Sequence, residues 1–299
     1  MEKFMNRCQL CPRNCRVDRM VQSGFCGEHD TVRVARAALH MWEEPCISGE
    51  NGSGAVFFTG CVLRCVYCQN SQLASGQVGK EISVKRLGEI FLSLQEQKAN
   101  NINLVTPTHF VPQIVKAIVM ARDNGLTIPI VYNTGNYENV ETIKMLDGLV
   151  DIYLPDFKYY DGNIAQKYSG AGDYFECASK SLAEMVRQIG KNTFNDEGIM
   201  QKGVIVRHLL LPGGLEDSKK VIRYLYETYG NNIYVSIMNQ YTPMPGIEKK
   251  YPELSRKVRR KDYDRLVDYA IDLGIENGFI QEGDTAKESF IPDFDLKGL

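Results

Sequence analysis

The sequence predicts an α/β fold, a partial (β/α)6 TIM-like barrel preceded by a small N-terminal Cys-rich metal-binding segment. Three observations carry this. After residue 50, short apolar, β-branched runs alternate with segments of helical period, the pattern of parallel strands joined by crossover helices. The runs at 55–59, 102–106, 128–133, 152–157, 204–211 and 233–240 are apolar almost throughout, as strands covered on both faces are. Finally, most of the nine cysteines crowd into two short stretches. Six units fall short of a full eight-stranded barrel, so an open barrel or curved parallel sheet is expected, with its functional face at the strand C-termini.

The chain divides into a Cys-rich segment and linker, 1–49, and a barrel with C-terminal extension, 50–299. Within the linker, residues 40–46 read as a loop onto the barrel, with Trp42 as packing. Val84, Leu87, Ile90, Phe91 and Leu94 share one helical face. Ile114, Val115, Ile118 and Val119 share another, with Pro112 in the first turn and Gly125 at the C-cap. The connection 159–202 is long and less regular. Its tyrosines (Tyr159, Tyr160, Tyr168, Tyr174), with Cys177 nearby, read as ordinary surface residues or as a peptide-binding rim. Asp217 or Ser218 can cap a helix through Val221, Ile222 and Leu225 that ends near Gly230, and a last helix through Leu266, Val267, Ala270 and Ile271 stops before Gly274.

Composition narrows the class. With 299 residues, 43% hydrophobic and 24% charged, the chain can bury a sizeable core. Its formal net charge of −2 supplies no field for nucleic acid or an anionic membrane. The start lacks an apolar signal-peptide core and no stretch is apolar enough to span a bilayer, so a cytoplasmic location is expected. Thiols stay reduced there, and an odd cysteine count argues against a disulfide framework.

Directly after the first barrel strand stand Cys61, Cys65 and Cys68, with no histidine nearby to complete a zinc site. Soft thiolates select zinc or iron–sulfur clusters. A [4Fe-4S] cube held by three cysteines leaves one iron open. Burial as small hydrophobes, with Cys46 or Cys177 completing a structural zinc, is the competing reading. A second group, Cys8, Cys11, Cys15 and Cys26, has the count and spacing of a tetrathiolate site. Zinc there would staple a segment too small to fold on its own core, and iron would make an auxiliary cluster.

The Cys-x3-Cys-x2-Cys spacing, with Tyr67 before the last cysteine, resembles the radical S-adenosylmethionine superfamily. Cys68-Gln69-Asn70, Asp156-Phe157-Lys158, Arg207 followed by Pro212-Gly213, and the run Asn239-Gln240-Tyr241-Thr242-Pro243 resemble its branch related to pyruvate formate-lyase activating enzyme. The resemblance implies that Cys61, Cys65 and Cys68 hold a [4Fe-4S] cluster whose open iron takes S-adenosyl-L-methionine. It also implies a 5′-deoxyadenosyl radical that abstracts hydrogen, activating a glycyl-radical enzyme or modifying a protein, with flavodoxin or ferredoxin as electron donor. Radical modification of a peptide or small metabolite is the alternative, and a non-catalytic metal-binding interaction protein a remote one.

For the cofactor, the resemblance points to the backbone at Tyr67 and to Arg207, while strand-end position adds Asn133 and the opposite charges of Asp156 and Lys158 on one strand face. His208 reads as structural, and a plain ion pair at the rim is the competing account of Asp156 and Lys158. Two departures stand out. Where the branch has a glycine-rich segment, this chain has Val105-Thr106-Pro107-Thr108, so hydroxyls such as that of Thr106 replace glycine. Where the branch has a histidine on the sixth strand, it has Asn239-Gln240, leaving the amide of Gln240 as the candidate contact.

Overall fold

The computed structural model describes residues 7–281 and 292–299. Strand β1 (Val32–His40) runs antiparallel to β2 (Ser53–Phe58) and, at its start, to β3 (Lys80–Ile82). Next come β4 (Ile102–Val105), β5 (Ile130–Thr134) and β6 (Ile152–Pro155), then β7 (Thr193–Phe194), β8 (Met200–Leu209), β9 (Tyr234–Met238) and β10 (Gly278–Ile280). The sheet order is β10-β9-β8-β6-β5-β4-β2-β1-β3, with β7 antiparallel on β8. From β2 to β10 the main path is parallel throughout. The six apolar runs thus become β2, β4, β5, β6, β8 and β9.

The described helices are α1 (Pro45–Ser48), α2 (Ser71–Ala74), α3 (Val84–Glu96), α4 (Val111–Asp123), α5 (Val140–Lys144), α6 (Gly162–Ser169), α7 (Tyr174–Ile189), α8 (Leu215–Tyr229) and α9 (Arg260–Leu273). Apart from α1, the long helices turn their apolar faces to the outside of the sheet, and α3 carries the expected buried set Leu87, Ile90, Phe91 and Leu94 behind a Ser83 cap. Two expectations fail here. The stretch 159–202 is mostly helical, through α6 and α7, rather than irregular. And α8 begins at Leu215, so Asp217 lies inside its first turn and its carboxylate instead accepts the Tyr160 and Asp161 N–H groups, at 3.1 and 2.8 Å.

The barrel floor is plugged from within. Cys46 and Ile47 of α1 pack against Val131, Ile152, Leu154, Met200 and Ile205. Asn101 donates to the Ile47 carbonyl at 2.8 Å and Asn100 to that of Ser48 at 2.6 Å. The plug leaves the upper half of the interior for chemistry. Beyond its short pairing with β3, the outer edge of β1 is covered by the C-terminal segment: the N–H of Ala37 donates to the Lys297 carbonyl, that of Leu296 to the Ala35 carbonyl, and Arg36 pairs with Asp295 at 2.6 Å. Among the described residues no helix is long and apolar enough to cross a membrane.

Candidate active site

The loop after β2 turns sharply at Gly60 (φ +79°) and brings Cys61, Cys65 and Cys68 over the strand ends. Each sulfur has a donor aimed at it. Leu63 and Arg64 present backbone N–H groups to Cys61, Asn70 presents one to Cys68, and the Ser169 hydroxyl reaches Cys65 at 2.9 Å. Burial first, and then the neighbouring Cys61 and Cys65, push the Cys68 thiol up to about 12. Burial and Cys65 likewise raise Cys61. Among the described residues no group of three metal-ligating side chains forms a single-ion site. N–H and O–H donors to sulfur are what a cluster's thiolates need. The donor set fits a [4Fe-4S] cluster. Cys46 is buried in the floor plug, and Cys177 is half-buried beside Asp173, at 3.7 Å, so neither completes a zinc site with this loop.

Below the loop lies a cavity of about 480 Å3, lined by Cys65 and Cys68 and by residues of β2, β4, β5, β8 and β9 and of the turn after β6. Residues from both ends of the sheet (His40 and Phe57, Met238 and Phe279) border this one space, so the sheet curls round it without closing. Its polar wall is a single network. The Asp156 carboxylate accepts from Lys158 Nζ at 2.6 Å and from Arg207 Nε at 3.1 Å. Arg207 Nη1 reaches Glu43 Oε2 at 3.1 Å, and Nη2 reaches Asn133 Oδ1 at 2.5 Å. Burial alone would raise the Asp156 carboxyl. The Lys158 ammonium and Arg207 guanidinium outweigh it and hold that group below the usual carboxylate range.

The structure therefore brings Asn133, Asp156, Lys158, Arg207 and Gln240 to one cavity wall with two of the three loop cysteines. Tyr67 also borders the cavity, but its ring packs edge-on against Tyr168 and Tyr241, and its hydroxyl bonds that of Tyr159 at 2.6 Å. Only its backbone is left for a ligand. Thr106 lies one residue beyond Val105, which lines the cavity, and adopts φ +59°, a conformation natural to glycine and strained for a β-branched side chain. Thr108 turns away, donating to buried Glu138 at 2.7 Å. His208 is structural, buried and bonded to the Phe157 carbonyl at 2.7 Å. The tyrosines are neither the ordinary surface residues nor the peptide-binding rim that the sequence allowed: Tyr159, Tyr168 and Tyr174 are buried, and of the four Tyr160 alone is exposed.

Sequence reasoning missed the acidic pair Glu43-Glu44. Glu43 closes the network by also accepting from Asn103 at 2.9 Å. Glu44 lies buried on the cavity wall, bonded to Ser236, with one carboxylate oxygen unpartnered and its ionisation opposed first by burial. Two adjacent carboxylates before the α1 proline were the only signal. Trp42, read as packing, is instead 59% exposed at the cavity rim.

The sequence profile of the radical SAM superfamily matches residues 55–225, more than half of the chain. The chain belongs to the radical SAM superfamily. Membership makes S-adenosylmethionine and an iron–sulfur cluster its cofactors. An uncharacterized protein, MJ0674, of Methanocaldococcus jannaschii is 26% identical over 279 residues, covering 90% of this chain and 75% of that protein. A pyruvate formate-lyase-activating enzyme of Clostridium pasteurianum is 28% identical over 238 residues, covering 74% and 87%. Among solved structures, Streptococcus suis SuiB bound to S-adenosylmethionine aligns with a TM-score of 0.50 at 14% identity, over 74% of this chain and 48% of SuiB. The enzyme anSMEcpe, with bound AdoMet and a peptide, aligns with a TM-score of 0.50 at 14% identity, over 72% and 57%. This radical SAM chain thus spans about half the length of these structural neighbours, and the shared part is the partial barrel.

Proposed function

We propose that this protein uses S-adenosylmethionine to abstract a hydrogen atom from a protein or peptide segment. The observation that carries the reading is the cavity, which joins two loop cysteines to a network of two cations and two carboxylates at its wall. When bound, the cluster and S-adenosylmethionine together supply methionine and a 5′-deoxyadenosyl radical. Cys61, Cys65 and Cys68 are the ligands that hold that cluster, and N–H and O–H donors orient their sulfurs.

Asp156 is placed to accept from the amino group of the methionyl moiety, while Lys158 and Arg207 offer donors to its carboxylate. Asn133 and Glu43 fix the Arg207 fork, and the backbone at Tyr67 and the amide of Gln240 flank the space for the adenosyl part. Thr106, in its glycine-like conformation, brings the strand-end backbone close to the same space. The floor plug and the curled sheet exclude water from the reacting atoms.

The choice of a macromolecular substrate rests on three supports. The cavity opens between the two ends of the sheet, and its rim carries the exposed side chains of Trp42 and Ile280. The Clostridium relative is named as an activating enzyme of another enzyme. SuiB and anSMEcpe have been solved with peptides bound. The electron would come from a low-potential one-electron protein donor such as flavodoxin or ferredoxin.

The test uses a deuterated cell extract split by size into macromolecular and small-molecule fractions, each incubated with reduced, cluster-loaded protein and S-adenosylmethionine. Deuterium appearing in 5′-deoxyadenosine with the macromolecular fraction is the expected result. Label arising only with the small-molecule fraction overturns the proposal in favour of a metabolite.

A further inference from the structure

The radical chemistry uses three cysteines and leaves four in the N-terminal segment unexplained. Cys8, Cys11 and Cys26 are buried. Cys15 joins them: a side chain built on Gly24 would lie 3.6 Å from the sulfurs of both Cys15 and Cys26. Backbone N–H groups aim at this set as they do at the barrel loop, from Phe25 to Cys15 at 3.2 Å and from Arg13 to Cys11. The chain bends into left-handed conformations at Asn14 and Arg16 to allow it, and the amides of Cys8 and Arg16 bond back across the knuckle, each at 2.9 Å.

A second observation concerns charge. Arg19 is wholly buried, donates to the backbone carbonyls of His109 and His29, leaves its Nε without a partner, and pairs with no carboxylate among the described residues. An isolated buried guanidinium is costly. Its contact with the His29 carbonyl sets it beside the turn where the Cys26 sulfur lies 3.9 Å from the Glu28 carbonyl. A set of metal-bound thiolates supplies the missing counter-charge, and neutral thiols do not.

We propose that Cys8, Cys11, Cys15 and Cys26 hold a second [4Fe-4S] cluster, fully ligated by protein and packed directly on the loop of the first. Four thiolates are the complete ligand set of such a cube, and its seat on the loop of the barrel cluster gives it an electron-transfer role that a zinc ion, which has no redox chemistry, could not serve. Its place is fixed by direct contact: the Cys61 amide donates to the Cys26 carbonyl at 3.3 Å, and Arg13 Nε to the Val62 carbonyl at 2.8 Å. With no open iron, this cluster binds no substrate. Its position suits a one-electron exchange with the barrel cluster, each cluster changing by a single electron supplied by the reduced donor protein.

The full chain with Cys61→Ala, Cys65→Ala and Cys68→Ala, purified and reconstituted without oxygen, separates the two sites. About four irons and four sulfides per chain are expected in this variant, against about eight of each in the parent, with a reduced-state paramagnetic signal that S-adenosylmethionine does not alter. One zinc and no iron, or no metal at all, overturns the proposal. Adding Cys11→Ser should remove the remaining iron, and iron retained there would also contradict it. In the parent chain, Arg19→Gln should move the midpoint potential of the S-adenosylmethionine-insensitive signal to a more negative value, because a buried positive charge has been removed. An unchanged potential would refute the role given to Arg19.

Discussion

Replacing Asp156 by alanine tests whether the charged wall of the cavity is a built network or a solvated rim pair. Its carboxylate takes two charge-assisted hydrogen bonds, and the side chains of Asp156, Lys158 and Arg207 are 19%, 19% and 15% exposed. Removing one partner of a buried pair costs about 3–5 kcal/mol. Arg207 keeps Glu43 and Asn133, and partial exposure screens part of the loss, so about 3 kcal/mol is expected. Asp156→Asn keeps an acceptor for Arg207 and should lose about half as much. Urea unfolding of the cofactor-free protein at pH 7 reads this as a lower midpoint at unchanged slope. Because the folded-state carboxyl is held below its usual value, its contribution is present above pH 4 and disappears as pH falls through the depressed pKa. Parent and variant should therefore converge in acid. Affinity of the cluster-loaded protein for S-adenosylmethionine should fall about tenfold or more, with the iron count unchanged. An Asp156→Ala protein within about 0.5 kcal/mol of the parent at pH 7 would refute the network and leave an ordinary surface ion pair.

Three further substitutions test other joints of the structure. Glu138 is buried, accepts hydrogen bonds from Thr108, Tyr132 and Thr134 through one oxygen, and is pushed up to about 7 by burial. The folded state then holds this proton more tightly than the unfolded one, so the parent loses about 3 kcal/mol between its ordinary value and pH 7. Glu138→Gln should flatten that decline in a series of urea titrations, and parallel profiles would contradict the assignment. A Cβ at Gly60 would meet Glu28 Cγ at 2.5 Å and the Cys26 carbonyl at 2.7 Å. Gly60→Ala should cost about 2 kcal/mol or more and lower the melting temperature, whereas an unchanged melting temperature would mean that the N-terminal segment is not packed on the loop. Thr106→Gly relieves a strained β-branched residue and should stabilise the cofactor-free protein by about 1 kcal/mol. Destabilisation would show that the Thr106 side chain makes contacts that outweigh its strain.

How much of this was legible depended on whether the signal was local. The six central parallel strands announce themselves because both faces are covered and their residues are apolar in sequence. Strand β1 does not: Arg33 and Arg36 interrupt its pattern, and their partners, Glu28 and Asp295, are brought to them only by the fold. Helix α7 was obscured because Ser181 and Glu184 are buried on its inner face, satisfied by Asn136 and by Arg187 and Gln188. The tyrosines of 159–174 read as surface residues, yet their hydroxyls find partners inside, as Tyr174 does at the Gly135 and Asp156 carbonyls. At the site, cysteine spacing and the Asp156-x-Lys158 alternation are local and were readable. Glu43 and Glu44 were not, since only the insertion of α1 into the barrel floor carries them to Arg207 and Ser236.

The central claim is that Cys61, Cys65 and Cys68 support reductive cleavage of S-adenosylmethionine beside the Asp156 network. The most direct measurement is 5′-deoxyadenosine, followed by chromatography after anaerobic reconstitution, with dithionite as reductant. The parent protein should form it, and Cys65→Ala should not, even with the N-terminal metal retained. A parent protein with a loaded barrel cluster and bound S-adenosylmethionine that releases no 5′-deoxyadenosine would contradict the account.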